Sequence, residues 1–583
     1  MNRIVITGAG VVSAIGIGKQ ATLESLLREQ SGIGPMRILQ SAHTELPVGE
    51  VPMTDDDLRA QLDYHEPATR ATLLGILAAR EAVEQAHINA ELLARTAFIN
   101  GTTVGGMDST ERDYLLWEQN EHLETIALHE AGVCTEAIAA DLGQTAFATT
   151  LSTACSSALN AIICGANMLQ AGQADCVIAG GTECLTKFHL NGFNSLMILD
   201  HEPCRPFDDT RAGLNLGEGA GYVVLETEEH AWSRGATVLA YVSGYANACD
   251  AYHQTASSED GNGAYLAMKQ ALTMAGVQPQ EVSYVNAHGT ATPNNDQSES
   301  AALKRVFGDN MPAVSSTKSL TGHTTSASGA IETVICLLCM DCGFAPGNMN
   351  FHTPMTNGIV PLEHNQQMSM QHVLCNSFAF GGNDSSLLLS VQPNKLVQIP
   401  VSRVSTTYTQ VGLTVPVDSG QYIPAMESRR MTEPMRRVIV AARQALEDAG
   451  LEVLDAIITG TEWGCITNTL QFLEPLCREG GEGLKPTAFM QSTHNTISSI
   501  IARQLHCHGY NATFSHGAES FEHACQDAER LIALGQAANV LVLGFDEADE
   551  RWQNILAKTK REIKTIAVAR VYKGSVKGSG IIN

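Results

Sequence analysis

Positive charge is scarce in this 583-residue chain: 36 Lys and Arg stand against 62 Asp and Glu, a formal net charge of −26. Nucleic-acid binding needs clustered basic side chains, so that class of partner is excluded. Charge of either sign is thin, at 17% of residues, against a globular norm of about 25%. With 44% hydrophobic residues and 51 Gly, collagen-like and disordered classes are excluded too, and tightly packed α/β structure is favoured. No basic stretch leads into a sustained apolar segment at the N-terminus, where Met1–Gly18 reads as strand, turn and loop rather than a secretory signal. No uncharged run reaches the roughly 18 residues of a membrane span. The 15 cysteines, an odd number scattered irregularly, suit a reducing compartment better than a disulfide framework. A cytoplasmic protein is expected.

The length allows about three or four domain-sized units. β-Branched runs such as Ile4–Thr7, Cys176–Ala179 and Tyr284–Asn286 alternate with helix-like stretches at Thr69–Ala86, Ser156–Ala171, Ala264–Ala275 and Met435–Ala449. That alternation predicts layered α/β structure. Pro and polar residues cluster at Gln392–Arg403, which marks the main boundary. Beyond it the chain repeats itself. Ala78–Ala86 resembles Ala441–Ala449, Thr150–Cys155 aligns with Thr513–Ala518, and Leu169–Gly181 matches Ile532–Gly544, all 363 positions downstream. Ile99–Thr102 likewise resembles Ile458–Thr461. The C-terminal part therefore reads as a second copy of the N-terminal part, in which Cys155 has become Ala518.

Chemistry concentrates in a few short segments. Ser152-Thr153-Ala154-Cys155-Ser156-Ser157 lies between an apolar strand and a helix of small residues. A thiol at such an elbow faces the positive end of a helix, which predicts a lowered pKa and a nucleophilic thiolate. His288 and His323 sit in Gly- and Thr-rich turns, where a rigid scaffold positions catalytic groups. Lys318 and the glycine turn in Asn376–Asn383 complete the set. Singly, each is more often a buried cysteine, a satisfied histidine, a surface lysine or a strand-closing turn. In this order and spacing they are far more specific. Other signals are discounted. Gly8-Ala9-Gly10 imitates a dinucleotide fingerprint, but Ser13 replaces its third Gly and no acidic residue follows at the required distance. Cys336, Cys339 and Cys342 fall on an apolar helix without a fourth cluster ligand, and His506-Cys507-His508 reads as a loop.

With these segments in place, residues 1–393 resemble an elongating β-ketoacyl-acyl-carrier-protein synthase of the fatty-acid and type II polyketide group. The resemblance runs through Ile6–Gly10, the Cys155 elbow, Arg205–Asp208, Gly217–Gly221, Asp250–His253 and the His288, Lys318, His323 and Phe380 segments. It implies a thiolase-like α/β fold, two αβ halves stacked as five layers, with a homodimer usual. The appended copy resembles the N-terminal half-domain of chain-length-factor-like proteins. The expected division is 1–238, 239–393 and an inactive 394–583. The resemblance also implies the chemistry. Cys155 takes an acyl group from acyl carrier protein, and His288 and His323 hold the malonyl thioester through decarboxylation. Backbone N–H groups of Cys155 and Phe380 form the oxyanion hole. Lys318, Glu332 and Asp296 order the site, Thr290 and Thr292 contact pantetheine, and Val104 and Phe378 border the acyl pocket. No metal or redox cofactor is implied. Three departures bear on the gate: Ala379 stands for the usual Gly and is expected to restrict loop motion or alter the loop's conformation, Asn383 stands for Thr, and Asp384 for Asn. The competing functions are a non-catalytic chain-length or scaffold partner and a degradative thiolase. Acidic carrier protein needs a basic patch. The approach Asp63–Arg70 is poor in positive charge, whereas Arg429, Arg430, Arg436 and Arg437 in the copy are expected to supply it.

Overall fold

The structure, a computed structural model, describes residues 2–103, 105–394, 406–481 and 483–574. Val104 and most of the expected boundary segment lie outside the described residues. The N-terminal part contributes β1 (Ile4–Ser13), α1 (Arg70–Gln85), β2 (Ala97–Gly101), β3 (Phe147–Leu151), α2 (Ser157–Gln170), β4 (Cys176–Glu183) and β5 (Gly219–Thr227). There follow β6 (Ala240–Cys249), α3 (Asn262–Ala275), β7 (Tyr284–Asn286), α4 (Pro293–Phe307), β8 (Ala313–Ser315), α5 (Ser328–Cys342), β9 (His372–Ala379) and β10 (Asn383–Ser390). The copy contributes β11 (Thr406–Gly412), α6 (Glu433–Ala449), β12 (Ala456–Gly460), α7 (Thr496–Leu505), β13 (Tyr510–Phe514), α8 (Ser520–Ala533), β14 (Asn539–Asp546) and β15 (Ile566–Gly574).

Residues 2–394 form the five expected layers, residue 104 apart. The first sheet runs β3-β2-β4-β5-β1 and the second β6-β10-β9-β7-β8, joined by pairing of Ile4–Ile6 in β1 with Ala240–Val242 in β6. Helix α1 covers the first sheet outside, α3 and α4 cover the second, and α2 and α5 fill the space between. All ten residues of β1 are buried, as a strand covered on both faces requires. Gly8 and Gly10 serve this packing: a Cβ on either would stand 2.2 or 2.0 Å from the carbonyl oxygen of Ala82 or Ala78 in α1. Their role is close strand–helix approach. In α2, 13 of 14 residues are buried, which is why its sequence is mostly small or apolar. Thr325–Cys342 is long and apolar enough to cross a bilayer by composition, yet 78% of it is buried in the protein. Cys336 and Cys339 pack in that core and Cys342 is exposed.

The copy repeats the first sheet strand for strand. Its order is β13-β12-β14-β15-β11, with β13, β12 and β14 parallel and β15 and β11 antiparallel to their neighbours, as in β3-β2-β4-β5-β1. The two sheets meet edge to edge, β3 against β13, antiparallel, with Leu151 opposite Phe514. Ser152 N donates to Thr513 O and Ser515 N donates to Thr150 O, both at 2.9 Å. Leu151 faces its own counterpart Phe514 and the two flanking bonds are reciprocal between equivalent residues, so the join has a local pseudo-two-fold axis, the geometry of an isologous interface. Three strand-to-helix elbows share one shape. Ala154, Thr325 and Gly517 adopt φ of +53°, +44° and +55°, each opening a short 3₁₀ turn before α2, α5 or α8.

Candidate active site

The first elbow presents Cys155 at the start of α2, between the two sheets, and the second brings in the residues opposite it. Cys155 Sγ lies 3.2 Å from His323 Nε2, and His323 Nδ1 lies 3.0 Å from Ser328 Oγ at the start of α5. The Ser328 hydroxyl both donates and accepts, so it accommodates either tautomer of His323. His288 stands edge-on to His323 with ring centroids 5.3 Å apart, and the Phe378 ring lies 5.9 Å beyond. Lys318 Nζ is 2.5 Å from Glu332 Oε1, both side chains being buried behind the histidines. The turn after β7 needs its glycine: Gly289 has φ +37°, and a Cβ there would meet Ser316 Cβ at 2.5 Å. Glu299 of α4 fixes that turn by accepting the backbone N–H groups of His288 and Gly289 at 2.8 and 2.7 Å.

Burial dominates the electrostatics. It pushes the Cys155 thiol up to about 11, although the Lys318 charge and the N–H groups of Phe380 and Cys155 pull the other way. The expected thiolate is therefore corrected: desolvation outweighs the Lys318 charge and the two N–H groups, and the resting group is a thiol. Burial, reinforced by Lys318, drives both imidazoles well below their ordinary range, so both are neutral. Burial raises Glu332 to about 7 against the pull of Lys318, and raises Glu299 to about 7 against its two N–H donors.

Asp296 accepts the N–H groups of Phe207 and Ala291 and lies 3.6 Å from Arg211, which ties the Thr290–Thr292 turn down. The Thr290 and Thr292 hydroxyls are 2.9 Å apart, and Thr292 caps α4. The structure places no left-handed backbone at Ala379. Left-handed backbone falls on Gly381 and Gly382, at φ +89° and +72°, while Ala379 pairs with Asn383 at the end of the strand. Asn383 Oδ1 accepts from Ser156, Asn160 and Asn247, and its Nδ2 donates to Asn511 O of the copy at 2.6 Å. Asp384 is buried, and burial beside Asp250 holds its carboxyl well above the usual range.

The copy reaches the site through residues that no motif marks. His494 Nδ1 lies 3.1 Å from Ser152 Oγ, and Asn495 and Ser499 bond to the Phe380–Gly381 turn. A cavity opening at Cys155 is lined by Phe188, Phe193 and Phe380 and, from the copy, Trp463 and Phe489. Phe489 stacks edge-on to Phe193 at 5.5 Å. The third elbow holds Ala518 and makes the seam instead: His516 meets Thr150 Oγ1 at 3.1 Å and Glu136 at 3.0 Å. His508 Nδ1 donates to Cys249 O, which gives the His-Cys-His run an interface role.

Comparison with known proteins agrees with this geometry. The β-ketoacyl synthase N-terminal domain matches residues 1–231 and the C-terminal domain residues 239–352. A second β-ketoacyl synthase N-terminal domain matches residues 407–576. A 3-oxoacyl-[acyl-carrier-protein] synthase 2 of Vibrio cholerae is 34% identical over 409 residues, spanning 66% of this chain and 98% of that protein. The solved ishigamide ketosynthase/chain length factor is 30% identical with a TM-score of 0.63, covering 67% of this chain and 99% of that one. The PfaC keto synthase-chain length factor shares the fold through 99% of this chain and 79% of its own, at 18% identity and a TM-score of 0.78. A lone thiol facing two neutral imidazoles across the junction of two thiolase-like halves, matched over nearly the full length of its relatives, makes this chain a member of the β-ketoacyl synthase family.

Proposed function

We propose that the chain catalyses decarboxylative Claisen condensation of a Cys155-bound acyl group with malonyl-acyl-carrier protein, in fatty-acid, polyene or polyketide synthesis. The observation that carries this reading is the 3.2 Å approach of Cys155 Sγ to His323 Nε2, with neutral His288 alongside. In the first half-reaction sulfur attacks the acyl thioester carbonyl and its proton passes to His323 Nε2. The oxyanion is held by the N–H groups of Cys155 and Phe380, and the expelled carrier thiolate takes the proton back. In the second, the malonyl thioester oxygen accepts hydrogen bonds from His288 and His323. The bond to the carboxylate breaks, carbon dioxide leaves, and the resulting enolate carbon attacks the acyl carbonyl. Cys155 departs as thiolate and is reprotonated. Thr290 and Thr292 border the pantetheine path, and Lys318, Glu332 and Asp296 hold the frame. A scaffold without chemistry has no need of this assembled thiol, imidazole pair and lysine, so the non-catalytic alternative is disfavoured.

The division at 238 and 393 makes residues 394–583 a built-in partner rather than a second enzyme. The edge of β3 is occupied by β13 of the same chain, in the reciprocal antiparallel pairing that an isologous dimer makes. The chain is thus its own pseudo-dimer. Acyl carrier protein is the macromolecular partner, as the name of the Vibrio relative indicates for that protein. Of the four arginines offered for its docking, Arg437 is buried against Glu433 and Arg436 bonds to Ser428 O and Met431 O, which leaves Arg429 and Arg430 exposed. The deciding test is intact mass after incubation with acyl-carrier proteins of several chain lengths. One acyl group adds to the native chain and none to Cys155→Ala; an adduct persisting in the variant refutes the assignment.

A further inference from the structure

The turn between β9 and β10 carries the N–H of Phe380 that faces the Cys155 sulfur, yet its carbonyls are held by the appended copy. Asn495 Nδ2 donates to Phe380 O at 2.9 Å, and Ser499 Oγ, one turn along α7, donates to Gly381 O at 3.0 Å. The fit is close: a Cβ at Gly381 would stand 2.7 Å from Asn495 Nδ2 and 3.2 Å from Ser499 Cβ. Asn495 is buried, and its Oδ1 has no partner among the described residues, so its amide is kept there for the donor it supplies to Phe380. On the other side Gly381 N donates to Gln254 O at 2.7 Å. The Phe380 ring stacks on Phe193 with centroids 5.7 Å apart and planes 21° apart, closing the wall of the cavity that starts at Cys155. The far end of the same turn is anchored through Asn383 to Asn511 O in β13. Because Phe380 walls the cavity and carries one of the two held carbonyls, these bonds resist movement of its ring away from Phe193.

We infer that Asn495 and Ser499 are positioning residues for the condensation: from the appended copy they latch the Phe380–Gly381 turn, aiming the Phe380 N–H at Cys155 and setting how readily the acyl pocket opens. The inference rests on the condensing reading for its kinetic consequence, and on geometry alone for the latch. The residues act through the peptide carbonyls and touch neither sulfur nor histidine.

The experiment uses the full chain as Ser499→Ala, Asn495→Ala, the double variant and Ser499→Thr, which keeps the hydroxyl. Hydrogen exchange of the peptide Asn376–Asp384 reads opening of the turn without any substrate. Loss of one bond accelerates exchange about two- to tenfold and loss of both multiplies the effects, with Ile4–Ser13 unchanged and Ser499→Thr close to native. In turnover with octanoyl-N-acetylcysteamine as acyl donor, kcat for condensation falls severalfold while KM for malonyl-carrier protein holds. Ser499→Ala removes a single oxygen, so it must show the acceleration even if Asn495→Ala does not fold. Unchanged exchange in Ser499→Ala, or acceleration spread equally over Ile4–Ser13, overturns the latch. If the native chain takes no acyl group from any thioester, the condensing reading fails, and exchange still decides the latch.

Discussion

Gly192 and Phe489 stand on opposite sides of the contact between the synthase and its copy, and the contact is tight enough to predict from. A Cβ added at Gly192 would lie 2.1, 2.3 and 2.4 Å from three ring carbons of Phe489. Ordinary carbon contacts sit at roughly 3.5–4.0 Å, so Gly192→Ala displaces the ring by about 1 Å or more. The expected cost is about 1–3 kcal/mol of stability, as for other overpacked cores. Phe489→Ala removes a buried ring packed on Phe188, Phe193 and Phe472 and costs about 3–5 kcal/mol. It also widens the cavity. If two further methylenes of substrate are buried there at about 0.8 kcal/mol each, relative kcat/KM for the longer acyl group rises roughly fifteenfold. In the double variant the added methyl meets no ring, so the cost of Gly192→Ala vanishes and the acyl preference equals that of Phe489→Ala alone. The assay is competition among a ladder of saturated acyl-carrier thioesters, read as the mass of the Cys155 adduct, with urea unfolding alongside. Gly192→Ala effects that are the same with and without the Phe489 ring refute the reasoning, because only coupled residues depart from additivity.

Because burial lifts the Cys155 thiol to about 11, its thiolate fraction grows about tenfold per pH unit through neutrality. Alkylation of Cys155 by iodoacetamide, followed by peptide mass spectrometry, therefore climbs steadily from pH 6 to 9; a plateau below pH 8 contradicts the raised value. Glu299→Gln leaves only one acceptor for the N–H groups of His288 and Gly289, so stability falls by about 1–3 kcal/mol. The same variant slows malonyl decarboxylation more than acylation of Cys155, and equal loss of both half-reactions would mark a purely structural role. Residues 1–393 expressed alone leave the edge of β3 unpaired, and unpaired edges associate. Light scattering is expected to show self-association, and a stable monomer counts against the seam as the main cover of that edge.

Cys155, both histidines and Lys318 were legible as a group, and the structure brings them together, because the elbow and turns around them are local features of the sequence. The repeat was equally legible: α1 and α6, α2 and α8, β3 and β13, and β4 and β14 stand 363 positions apart. The working part of the copy was not legible. Asn495, Ser499 and Phe489 gain their roles only when β13 pairs with β3, and nothing local announces a contact between strands so distant in the chain. Glu299 was missed because a carboxylate on an amphipathic helix reads as surface until the turn it supports is seen. The acidity of Cys155 was misjudged for a related reason. The elbow and its helix dipole are visible in the sequence, whereas complete burial is a property of the assembled layers.

The edge pairing of Leu151 with Phe514 joins two related halves by one covalent chain. In a true symmetric dimer every substitution appears twice, once on each side of the axis, and must be tolerated in both settings. Here each side of the seam is encoded separately. His516 has its own contacts with Thr150 and Glu136, and Ala518 has shed the thiol, without any matching change at Thr153 or Cys155. One side is free to drift toward shaping and clamping while the other is held to the chemistry. Association between the two is intramolecular, so their stoichiometry is fixed at one to one and does not fall off on dilution.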